Sequence, residues 1–89
     1  MTAARYAEIL ASELPGWTIT PHPDRRGVVL MRSPTGAEGL VRPSVGEVGN
    51  ELQPGFTVWS WKRPEYIGAR GARRLAVDLL AANGGEAAQ

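Results

Sequence analysis

Along the first turns of the chain the apolar positions Tyr6, Ile9, Leu10 and Leu14 recur at helical spacing, with Arg5, Glu8 and Ser12 between them. Thr2 stands where an N-cap hydroxyl accepts from a first-turn amide, and Pro15-Gly16 marks the helix end. The period then shortens. Trp17 and Ile19 alternate with Thr18 and Thr20, the signature of a short strand. Pro23-Asp24-Arg25-Arg26-Gly27 reads as a loop, and Val28 to Arg32 as a second strand. Ser33-Pro34-Thr35-Gly36 has the residue order of a type I turn, which folds Ala37 to Arg42 back as a third strand, so residues 27–42 are expected to form a hairpin.

Pro43 to Pro54 carries two patterns. Ser44 and Glu47 have capping-box spacing, and Val45, Val48 and Leu52 would share one helical face. Gly46 and Gly49, however, would each cost about 1 kcal/mol relative to Ala inside a helix, so residues 44–52 are expected to be a loop with at most one helical turn. Phe56 to Trp61 is the strongest strand pattern in the chain. A final helix places Ala72, Leu75, Ala76, Leu79 and Leu80 on one face and stops at Asn83-Gly84-Gly85.

The expected fold is α+β: an antiparallel sheet of three to four strands with an N-terminal and a C-terminal helix packed on one face, in the order α-β-β-β-β-α. Each helix has one apolar stripe to bury, and one sheet face satisfies both. Residues 1–85 would form a single domain and Glu86 to Gln89 a frayed tail. Nothing in the pattern suggests a repeat.

Composition narrows the function classes. Ten basic and nine acidic residues leave a formal charge of +1, so no chain-wide field draws the protein to nucleic acid or anionic lipid. No apolar run reaches the length of a membrane span, and Arg5, Glu8 and Glu13 interrupt the stretch where a signal peptide would be apolar. The absence of cysteine excludes disulfides and thiolate metal sites, and a cytoplasmic location is the expectation. Nine arginines against one lysine, with abundant Ala, Gly, Val and Pro, resemble the usage of small proteins of GC-rich actinobacteria and their phages. That resemblance is compositional and implies no chemistry.

Two features point to recognition. In Phe56 to Trp61 simple alternation puts Trp59 and Trp61 on one side and Phe56 and Val58 on the other, apolar on both faces. Two placements are open. The tryptophans pack beneath the helices, as large apolar side chains usually do, or they face outward beside Lys62, Arg63 and Tyr66. Trp, Tyr and Arg dominate binding hot spots, so in the second case Trp59, Trp61, Arg63 and Tyr66 would bind a protein partner or a second copy.

The other feature is charge. From Lys62 to Arg74 five cations face only Glu65, a local sum of +4 that leaves −3 for the rest of the chain. Arg70, Arg73 and Arg74 open the last helix at its positive end, where cations are disfavoured by about 0.3–1 kcal/mol each. Either an anion lies near, a carboxylate or an external phosphate, or these side chains solvate the helix, with Arg74 and Asp78 as an i,i+4 pair. The order helix, strands, helix with Gly-Ala-Arg-Gly-Ala-Arg-Arg at the last helix resembles the layout of double-stranded RNA-binding domains. That resemblance would make Arg70, Arg73 and Arg74 phosphate contacts, with Lys62 beside them. The chain departs from the family in its fourth strand, in Gly and Ala where the family is lysine-rich, and in its small net charge.

Catalytic patterns are missing. His22 is the sole histidine and sits in a proline-rich loop. Ser33, Ser44 and Ser60 lack a GxSxG context, the glycines do not form a phosphate-cradling loop, and Asp24, Glu38, Glu47 and Glu51 lack metal-ligand spacing. The expectation is a small non-catalytic interaction module with no cofactor and no metal, with a nucleic-acid-binding protein as the alternative.

Overall fold

The computed structural model describes the backbone of residues 1–53 and 56–82, and the side chains of residues 1–49 and 62–82. Two helices, α1 (Ala3–Glu13) and α2 (Gly68–Ala82), flank five strands: β1 (Thr18–Pro21), β2 (Val29–Arg32), β3 (Glu38–Arg42), β4 (Glu47–Gln53) and β5 (Phe56–Lys62). The strands form one antiparallel sheet in the order β1-β2-β3-β4-β5, so every strand pairs with its neighbour in sequence. The chain is therefore α+β with its helices at either end. The expected tail and the Asn83-Gly84-Gly85 stop lie outside the described residues.

Local chemistry accounts for most boundaries. Thr2 Oγ1 accepts from the Arg5 amide at 3.1 Å and starts α1. The amide of Gly36 donates to the Ser33 carbonyl at 3.0 Å, closing the four-residue turn, and the Ser33 amide donates to Ala37 at 2.8 Å to begin the β2–β3 ladder. His22 Nδ1 accepts from the amides of Asp24 and Arg25 at 3.0 and 3.1 Å, so this histidine organises its own loop.

β4 occupies the segment expected to be a loop, and it makes the sheet five-stranded instead of three- or four-stranded. The helical pattern of Val45, Val48 and Leu52 loses because Gly46 takes a left-handed φ of +67° and donates to the Arg42 carbonyl at 2.9 Å, closing a turn after β3. The chain then runs back along β3, pairing Gly49 with Leu40 and Val48 with Val41.

Both helices lie over one face. Val29, Met31, Val41 and Val48 from the sheet are buried together with Tyr6, Ile9, Leu10, Ala72, Leu75 and Leu79 from the helices. The opposite face is not bare at its middle: Leu40 is 0% exposed, although alternation turns it away from Val41 and from the helices. Among the described residues no helix is long and apolar enough to cross a membrane.

Candidate docking surface

The segment from Lys62 to Arg74 leaves the sheet, makes a single 3-10 turn over Pro64–Tyr66 and enters α2. Pro64 sits in the first turn of this short helix, where its missing amide costs nothing. The segment is locked in place by backbone. The Arg63 amide donates to the Gly46 carbonyl at 2.9 Å, and the Tyr66 and Ile67 amides return to Arg63 and Pro64, each at 3.0 Å. Gly46 has to be glycine for a second reason: a Cβ there would lie 2.0 Å from the Arg63 carbonyl oxygen. The β3–β4 turn is thus pressed against the exit of β5.

Tyr66, expected among the partner-binding residues of the aromatic surface, is instead 1% exposed. Its carbonyl accepts from the Tyr6 hydroxyl at 2.7 Å and its own hydroxyl donates to Asp78 Oδ2 at 2.5 Å. Burial, followed by the hydrogen bond to Asp78, pushes the Tyr66 phenol up to about 12, and burial raises Tyr6 as well. Tyr66 therefore ties α1 to α2 and cannot touch a partner. Gly71 makes this possible, because a Cβ at that position would stand 2.1 Å from the Tyr66 carbonyl carbon. A glycine inside a helical pattern was the signal in the sequence that another backbone approaches there.

The arginines of α2 divide. Arg74 Nε lies 3.4 Å from Asp78, the i,i+4 pair expected, and Arg73 Nε lies 3.9 Å from Glu13 of α1. Two of the three candidate phosphate contacts thus already have carboxylate neighbours. Arg70, like Lys62 and Arg63, is exposed and forms no ion pair among the described residues.

Beside these cations stand two aliphatic side chains, Val45 at 37% and Ile67 at 46% exposed. Ile67 Cγ1 would be 3.4 Å from a Cβ on Gly46, the neighbour of Val45, so the two belong to one corner. The sequence marks neither as a surface residue: Val45 fits a candidate helical face with Val48 and Leu52, and Ile67 belongs to no pattern.

The side chains of Trp59 and Trp61 lie outside the described residues, so an aromatic strip built from them does too. The backbone register of β5 is described, and it departs from simple alternation. Trp61 stands opposite Val48 and Trp59 opposite Gly49, with register shifts at Val48/Gly49 and at Glu51/Gln53.

Among the described residues no group of His, Cys, Asp and Glu is arranged to hold a metal ion. Compared with protein-family models, curated proteins and solved structures, the chain matches none.

Proposed function

We propose that the protein is a small non-catalytic interaction module that binds a protein partner at the corner where β5 passes into α2. The observation that carries this reading is that Val45 and Ile67 are both exposed where the β3–β4 turn meets the exit of β5, on a backbone clamped by the Arg63–Gly46 hydrogen bond. Aliphatic side chains on a rigid support bind with little ordering cost, which favours recognition over mere exposure. Lys62, Arg63 and Arg70 supply a polar rim, and Trp59 and Trp61 extend the proposal along β5 on residue type alone. The nucleic-acid alternative is less well supported, because Arg73 and Arg74 already have carboxylates beside them.

Site-specific photocrosslinking in the cells that make the protein tests the proposal. A photoreactive residue at position 67 is expected to trap one discrete protein, while the same residue at position 26, an exposed loop site, traps none. Adducts of equal intensity at both positions, or no protein adduct at 67, would sink it.

A further inference from the structure

The ion pairs of this protein are distributed unevenly, and the imbalance says something about the partner. Arg5, Arg32, Arg42, Arg73 and Arg74 each have a carboxylate of the chain itself within reach: Glu8, Glu38, Glu47, Glu13 and Asp78 in turn. Among the described residues Lys62, Arg63 and Arg70 have none, nor has Arg26 in the loop between β1 and β2, and the first three fall within the nine residues that also hold the exposed Ile67. Lys62 ends β5 and Arg63 follows it, while Arg70 lies in the first turn of α2, which begins at Gly68 directly after Ile67. Building on the docking reading above, we infer that the corner takes an acidic partner, a peptide or protein segment carrying carboxylates on both sides of an apolar anchor.

Charge complementarity and magnitude choose this occupant over three others. A second copy of the chain has little to offer, because among the described residues only Asp24 and Glu65 stand outside the ion pairs. Duplex nucleic acid is held by about 6–10 phosphate contacts in a steeply salt-dependent binder, against three uncommitted cations here, and phosphates make no use of Ile67. An anionic bilayer is recognised by clusters of about 4–8 basic residues or by a long amphipathic face, and the corner has neither. A short acidic segment needs only two or three cations for its carboxylates and a small apolar anchor point, and Lys62, Arg63 and Arg70 with the exposed Ile67 supply these against the one acid of the stretch, Glu65.

The test is selection from a random-peptide display library on the immobilised full chain, followed by affinity measurement with the synthesised winners. Enriched peptides are expected to carry Asp or Glu flanking one apolar residue and to bind more weakly as salt rises. The double variant Arg63→Glu, Arg70→Glu and the single variant Ile67→Asp should each weaken the winners by about tenfold or more, while Arg26→Glu leaves them unchanged. Should Ile67→Asp fail to fold by circular dichroism, Ile67→Ala is read in its place, with a loss of about threefold expected. Winners without an acidic bias, winners indifferent to these variants, no enrichment at all, or binding of a short RNA duplex or phosphatidylserine vesicles that these variants abolish would each overturn the inference. A crosslink at position 67 that persists alongside such a result sinks the acidic partner alone, whereas a missing crosslink sinks the docking reading beneath it.

Discussion

Within the thirteen residues from Lys62 to Arg74 the chain carries two regions of similar sequence and opposite fate. Tyr66 and Gly71 are buried against backbone and a carboxylate, and Arg73 and Arg74, though largely exposed, have carboxylates of the chain at 3.9 and 3.4 Å. Lys62, Arg63, Ile67 and Arg70 turn outward and meet nothing comparable among the described residues. The sorting depends on what α1 and the far end of α2 bring into range. A residue type that commonly marks an interface says little until its internal partners are known.

The sharpest way to break the comparison is at its inward half. Tyr66→Ala should lower stability by about 3–5 kcal/mol in chemical denaturation, since it removes a sealed aromatic ring and orphans the link between α1 and α2. A loss under 1 kcal/mol would return Tyr66 to the surface set. Gly71→Ala comes next, at about 1–3 kcal/mol, because its methyl group would press on the Tyr66 backbone and push α2 away from the 3-10 turn. An unchanged melting curve would deny that close approach.

Tyr66→Phe should cost about 1 kcal/mol, the usual worth of one hydroxyl hydrogen bond, here the one to Asp78. The same variant has a pH signature. Tyr66 titrates at about 12 in the folded protein, while an unfolded tyrosine titrates near 10. The unfolded chain therefore gives up this proton first, so the stability is fully present below about pH 10 and is lost as pH rises toward 12. Tyr66→Phe should make that alkaline loss shallower, leaving the part due to Tyr6. An alkaline limb identical to the parent protein's would rule out the raised phenol.

The smallest stability effect belongs to the outward half. Arg63→Ala and Arg70→Ala should change stability by no more than about 0.5 kcal/mol, as exposed side chains without an ion pair usually do. If either cost more than 1 kcal/mol, the corner would be structural and the contrast between the two regions would collapse.

Much of the fold was legible because its signals are local. The cap at Thr2, the Ser33 to Gly36 turn and the stripe Ala72, Leu75, Ala76, Leu79 each act within a few residues. The Arg74–Asp78 pair could be read the same way, being one turn apart on one helix. β4 could not, because its glycines weaken helix and strand alike and only pairing with Leu40 and Val41 decides for strand. Nor could the neighbour of Arg73, which is Glu13 on the other helix. The paired rows of β5 escaped for a related reason: a register shift is a property of two strands together, and alternation along one of them carries no trace of it.

By itself, then, the order of apolar and polar residues determined an α+β chain with an amphipathic helix at each end and a hairpin between, because periodicity of 3.6 and 2 is set by bonds between near neighbours. Which polar groups find partners within the protein and which stay exposed without one was decided only when distant elements came together. Reach in space, from Tyr6 to Tyr66 and from Glu13 to Arg73, is not encoded in the spacing along the chain.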